Sequence, residues 1–199
     1  MDPGQRSFDR PRVVDRRGQA LANSLAAAAD HPKVVSARST ADCSAELHRA
    51  AVLLELRLAG FDDELALAIC DRDGDVAATM PYSDTPGVLR DLKALGMRIG
   101  VISDIHYDLR RYFGHYGLDH LVDSYTLSFK YGVQKPDPRL FQIAVSALGQ
   151  APQYTLMVGD NPHRDGGAAA VGITTLILPP GVNFEPRGLD VILRLVQAA

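Results

Sequence analysis

Apolar and polar positions change their spacing twice along the chain. Residues 1 to about 18 (MDPGQRSFDRPRVVDRRG) have no periodicity, and five arginines alternate there with three aspartates, prolines and glycines, which predicts a flexible, solvated arm. Gln19 to Asp30 is rich in helix formers and stops at His31-Pro32, because the residue before a proline disfavours the α region. Lys33 to Thr40 reads as a short strand or a loop. From Asp42, Leu47, Ala50, Ala51, Leu54 and Leu58 recur at helical steps until Gly60. Asp62 then caps a second helix, Glu64 to about Cys70, and Asp71-Arg72-Asp73-Gly74-Asp75 closes the pair.

Beyond Pro81 helices and strands alternate. A helix from Pro86 to Leu95 precedes a strand, Met97 to Ile102, that finishes at Ser103-Asp104. A helix over Leu109 to Tyr116, a strand over Ser124 to Phe129 and a helix over Pro138 to Leu148 follow. Then come a strand from Tyr154 to Gly159, a helix opened by Asp165, a strand over Thr174 to Leu178 and a last helix from about Leu189 to Gln197. This alternation predicts an α/β fold, a parallel sheet with helices on both faces. The expected division is an arm (1–18), a helical cap-like region (19–78) and an α/β core (79–199).

Composition narrows the picture. A chain of 199 residues with net charge −3 and 46% hydrophobic content carries no large nucleic-acid footprint. No apolar run reaches the roughly 18 residues that span a bilayer, and no signal peptide opens the chain, so no membrane contact and a cytoplasmic location are expected. Cys43 and Cys70 lack CxxC spacing and read as small core residues in a reducing compartment.

Chemistry gathers at the ends of the predicted strands, where open α/β sheets bind their ligands. Ser103-Asp104 offers a hydroxyl and backbone N–H groups suited to a phosphoryl oxygen. Lys135 in Gly132-Val133-Gln134-Lys135-Pro136-Asp137-Pro138 is held by the proline after it and the helix start that follows. Asp160 and Asp165 place two carboxylates where a hard cation would be handled. Singly, each has an ordinary alternative: Ser103 and Asp165 as helix caps, Asp160 as a turn residue, Lys135 as an inert surface lysine. Together they form the electrostatic kit of phosphoryl transfer. His106 and Asp108 give only a weak metal signal, more in keeping with a solvated loop.

Residues from about Pro81 to Val196 resemble the core of a haloacid dehalogenase-like hydrolase, with VISD as second motif, KPDP as third and GDNPHRD as fourth. The resemblance implies a Mg²⁺-dependent phosphatase acting on a small phosphorylated metabolite. In it Ser103 binds the phosphoryl group, Lys135 neutralises charge, Asp160 coordinates Mg²⁺ and Asp165 is a ligand or lies close behind. The helices between Asp42 and Cys70 resemble the cap of such enzymes, whose residues select the substrate. A haloacid dehalogenase, needing no metal, is the enzyme alternative, and the two carboxylates speak against it.

The first motif, a strand ending in Asp-x-Asp-x-[Thr/Val], does not occur between Met1 and Asp42. Either the N-terminal piece is lost, leaving an inactive truncated protein with a binding role, or Asp71 and Asp73 of DRDGD form a displaced first motif. The flank Leu65-Ala66-Leu67-Ala68-Ile69 favours helix, against the second account. The resemblance also puts the first strand at the centre of the sheet, so its loss leaves a gap. Arg12-Val13-Val14, Lys33-Val34-Val35, the 65–70 segment or a partner chain are the candidates to fill it, and an exposed edge favours a homodimer.

Overall fold

The computed structural model describes residues 16–76, 79–181 and 185–198. Four helices come first: α1 (Arg16–Ala29), α2 (Pro32–Arg38), α3 (Ala45–Leu58) and α4 (Asp63–Asp71). After them, α5 (Thr85–Ala94), β1 (Gly100–Ser103), α6 (Arg110–His115), β2 (Ser124–Leu127), α7 (Ser128–Tyr131) and α8 (Pro138–Leu148) lead to β3 (Leu156–Gly159), β4 (Thr174–Ile177) and α9 (Asp190–Ala198). No described helix is long and apolar enough to cross a membrane.

Caps explain most boundaries. Ser44, Asp62 and Asp137 each accept a backbone N–H of the first turn, opening α3, α4 and α8. Gly149 closes α8 at a φ of 61°, in the left-handed region that glycine enters without strain.

Two expectations change. Lys33–Thr40 is neither strand nor loop. Pro32 stands in the first turn of α2 and His31 caps it through its side chain, so the proline that ends one helix starts the next. Val34 is fully buried as a result. α3 is the helix its spacing predicts, with Ala51 and Leu56 buried and Leu47 and Leu58 exposed. The displaced first motif also falls: Asp71 is the last residue of α4, about two-thirds exposed and paired with Arg49 at 2.7 Å, and no strand leads into it.

β1 runs parallel to β2 with Gly100 opposite Ser124 and Ser103 opposite Leu127, and β3 runs parallel to β4 with Leu156 opposite Thr174. Among the described residues the two pairs are not joined by backbone pairing. α8 bridges them: Phe141 and Val145 pack with Ala168 and Ile173, and Ile102 of β1 and Met157 of β3 close on the same cluster. Tyr125, Thr126 and Leu127 of β2 are buried, while no residue of β1 or β3 is buried completely. Two of the proposed fillers are excluded, since 33–35 lie in α2 and 65–70 in α4. Arg12-Val13-Val14 lies outside the described residues.

Candidate active site

The ends of β1 and β3 are tied together by Lys135. Its backbone N–H donates to Asp104 Oδ1 at 2.8 Å, and its ammonium donates to Asp165 Oδ1 at 2.5 Å. The side chains of Lys135 and Asp165 are only 11% and 5% exposed, so the charge is fixed in position. An ammonium has three hydrogens, and this pair uses one.

The β3 loop folds around Asp165. Its Oδ2 accepts the backbone N–H groups of Asp160 at 3.0 Å and Asn161 at 2.9 Å, while Asn161 Oδ1 accepts those of His163 and Arg164. The carboxylate lies so close over Gly159 that a Cβ there would stand 2.2 Å from Oδ2. Gly167, eight residues on, is equally confined, since a Cβ there would meet Pro136 at 2.8 Å. Gly159 and Gly167 therefore serve close packing, and Asp165 holds the loop. Burial pushes the Asp165 carboxyl up, but Lys135 and the N–H groups of Asn161 and Asp160 outweigh it and the net direction is downward.

Asp160 sits at the tip of that loop with its side chain 51% exposed and one ion pair, to Arg187 at 3.1 Å. Asp165, by contrast, has both oxygens engaged. Mg²⁺ takes about six oxygens, and the described part of the loop offers it the Asp160 carboxylate alone. Of the pair, Asp160 is the carboxylate open to solvent, and Asp165 is committed to Lys135 and the loop.

Ser103 is placed as expected, as the last residue of β1. Asp104 is not directed at a substrate: its side chain is 4% exposed, Oδ1 holds Lys135 and Oδ2 takes Arg164 Nη1 at 3.0 Å. Burial raises its pKa despite both cations. Sequence spacing could not reveal this strut, because it depends on how the Lys135 and Arg164 loops return to β1.

A second group, not anticipated from the sequence, joins the helical region to this loop. Arg164 Nη1 also reaches Asp42 Oδ2 at 3.5 Å. Gln134 accepts the N–H of Asp42 and donates to the carbonyl of Arg38, and Ser128 Oγ donates to the carbonyl of Asp42 at 2.5 Å. His48 of α3 lies between Asp42 (Nδ1, 3.0 Å) and Asp73 (Nε2, 2.7 Å). His106, from the loop after β1, stacks on His48 with ring centroids 3.6 Å apart. The Asp42 hydrogen bond is the main cause that raises the His48 pKa, and burial followed by the neighbouring His48 charge lowers that of His106. Asp108 pairs instead with Lys130. A cavity of about 200 Å³ opens among Arg38, Asp42, His48, Ala51, Val52 and Arg164, between the helices and the loop.

A family model described as haloacid dehalogenase-like hydrolase matches residues 10–172. The chain belongs to the haloacid dehalogenase-like hydrolases. Phosphoserine phosphatase of Thermus thermophilus is 33% identical over 106 residues, 52% of this chain and 43% of that protein. Glyceraldehyde 3-phosphate phosphatase of Methanopyrus kandleri is 30% identical over 145 residues, 69% of this chain and 62% of that protein. The chain spans about half the length of the curated relatives it matches. Among solved structures, the L-2-haloacid dehalogenase of Xanthobacter autotrophicus with chloropropionic acid covalently bound superposes with a TM-score of 0.67 over 94% of this chain and 89% of that one. At 17% identity it shows the shared fold of this hydrolase family.

Proposed function

We propose that this member of the family is a phosphohydrolase of small phosphorylated metabolites. The observation that carries the proposal is the Lys135 ammonium, fixed on Asp165 at 2.5 Å beyond the ends of β1 and β3 with two of its hydrogens unpaired among the described residues, in the loop cluster that holds Ser103 and Asp160. In this assignment Lys135 and the Ser103 hydroxyl bind the non-transferring phosphoryl oxygens, and Asp104, Asp165 and Arg164 keep them in position. The names of the two phosphatase relatives support the substrate class. Dependence on Mg²⁺ belongs to the proposal, with Asp160 as the carboxylate that would hold it, where the ion would screen phosphoryl charge. A cytoplasmic location belongs to it too.

The matched region begins at residue 10 and takes in Arg12-Val13-Val14-Asp15, a short apolar run that ends in a carboxylate. With Asp71 removed as a candidate, we assign nucleophilic attack to Asp15. Its position relative to the other motifs lies outside the described residues. Two residues on, where a second acid is expected, stands Arg17. That substitution favours a second reading, in which the site binds a phosphorylated ligand with little turnover.

Hydrolysis of an aryl phosphate by the full chain, with and without Mg²⁺, tests the assignment, with Asp15→Asn and Asp160→Asn as variants. Metal-dependent turnover lost in both is expected. Chloride release from 2-chloropropionate without phosphate release would establish the dehalogenase alternative. A folded chain that binds inorganic phosphate yet turns over neither substrate would leave the binding role.

A further inference from the structure

Four side chains far apart in sequence meet where the helical region touches the core: Asp42, His48, Asp73 and His106. The donor atoms of Asp42, His48 and His106 lie within 4.8 Å of one another. Asp73 Oδ2 stands 2.7 Å from His48 Nε2 and 3.7 Å from His106 Nε2. A tetrahedral ion with bonds of about 2.0–2.1 Å to nitrogen and oxygen separates its ligand atoms by about 3.3 Å, a spacing these distances bracket. The other nitrogen of His48 is already oriented, since Nδ1 faces Asp42 Oδ1 at 3.0 Å, the carboxylate support that ligating imidazoles usually have.

We propose that His48, His106 and Asp73 form a binding site for a first-row transition ion of the Zn²⁺ type, with Asp42 orienting His48. Two imidazoles and a carboxylate suit Zn²⁺, Co²⁺ or Ni²⁺ and not Mg²⁺. The site shares no ligand with Ser103, Lys135 or Asp160 and does not depend on the phosphohydrolase assignment; Arg164 of the Asp160 loop touches it only through Asp42. The ion takes the place of the 2.7 Å contact between His48 Nε2 and Asp73 and splays the two rings, stacked at 17°, until their lone pairs converge. Three protein ligands leave a fourth position open. His48 and Asp73 belong to the helical region and His106 to the loop after β1, so the ion fastens one to the other beside the 200 Å³ cavity.

Titration of the untagged full chain with Co²⁺, followed by visible absorption, tests the site. One equivalent of tetrahedral Co²⁺ is expected, with the band lost in His106→Ala and His48→Gln, at least tenfold weaker binding in Asp73→Asn, and no change in Asp160→Asn. Because a variant can weaken the fold, the wild type is also melted with and without Zn²⁺, and a concentration-dependent rise in Tm is expected. The proposal is overturned by a wild type that neither binds Co²⁺ nor gains stability from Zn²⁺. A band that persists in both folded histidine variants, or a thiolate-to-cobalt charge-transfer band placing the ion on Cys43 or Cys70, overturns it equally.

Discussion

Replacing Asp165 by alanine removes the partner of a nearly buried ammonium and the acceptor of two backbone N–H groups at once. Breaking a buried ion pair from one side costs about 3–5 kcal/mol, mostly from the charge left behind. The N–H groups of Asp160 and Asn161 add little if water enters the vacated space, so the expected loss remains about 3–5 kcal/mol. With a urea slope of about 2 kcal/mol/M, the unfolding midpoint falls by about 2 M. Asp165→Asn keeps an acceptor for the N–H groups and loses only the charge-assisted bond, about 1.5–3 kcal/mol. The folded pKa of Asp165 lies below its usual 3.8. Its contribution is therefore present above pH 3.8 and lost as pH falls through the folded value, so the gap between wild type and Asp165→Asn closes only at acid pH. Urea unfolding followed by circular dichroism reads all three quantities. A loss below about 1 kcal/mol for Asp165→Ala at neutral pH would refute the view that this carboxylate holds the loop.

Gly159→Ala sets a methyl group against the Asp165 carboxylate and is expected to cost about 1–3 kcal/mol, measured as a fall in Tm. Arg164→Met removes the cation beside buried Asp104 and the link to Asp42; amide exchange at Lys135 and across 38–43 should accelerate while α8 stays protected. Burial pushes the Asp84 carboxyl up, but the N–H groups of Leu189, Arg187 and Gly188 bring it below its usual 3.8. Stability from the contact between α5 and the α9 approach is thus present above that value and lost as pH falls through the folded pKa, and Asp84→Asn should flatten that acid limb of the melting curve.

Elements fixed by local chemistry were legible in the sequence. α8 is announced by Asp137-Pro138 and Gly149, and β3 by an apolar run that stops at Gly159. Lys135, Asp160 and Asp165 stood out because each lies beside a strand end or a helix start. Proline punctuation misled at Pro32, since the same residue stops α1 and opens α2. The Asp42, His48, Asp73 and His106 group carried no local signal, its members lying 6 and 25 residues apart within the helical region and meeting the core only by tertiary packing. Arg164 and Arg187 were hidden likewise, for their partners depend on how loops return across the sheet.

The most direct test of the central claim is binding of inorganic phosphate to the full chain, followed by calorimetry at low ionic strength and compared with Lys135→Gln and Ser103→Ala. Lys135→Gln keeps a hydrogen bond to Asp165 while removing the charge that a phosphoryl oxygen would meet. The account predicts saturable binding by the wild type, at least tenfold weaker with Lys135→Gln, a loss of about 1.4 kcal/mol or more, and weakened to a smaller degree with Ser103→Ala. A wild type that binds no phosphate, or binding indifferent to Lys135, would contradict it.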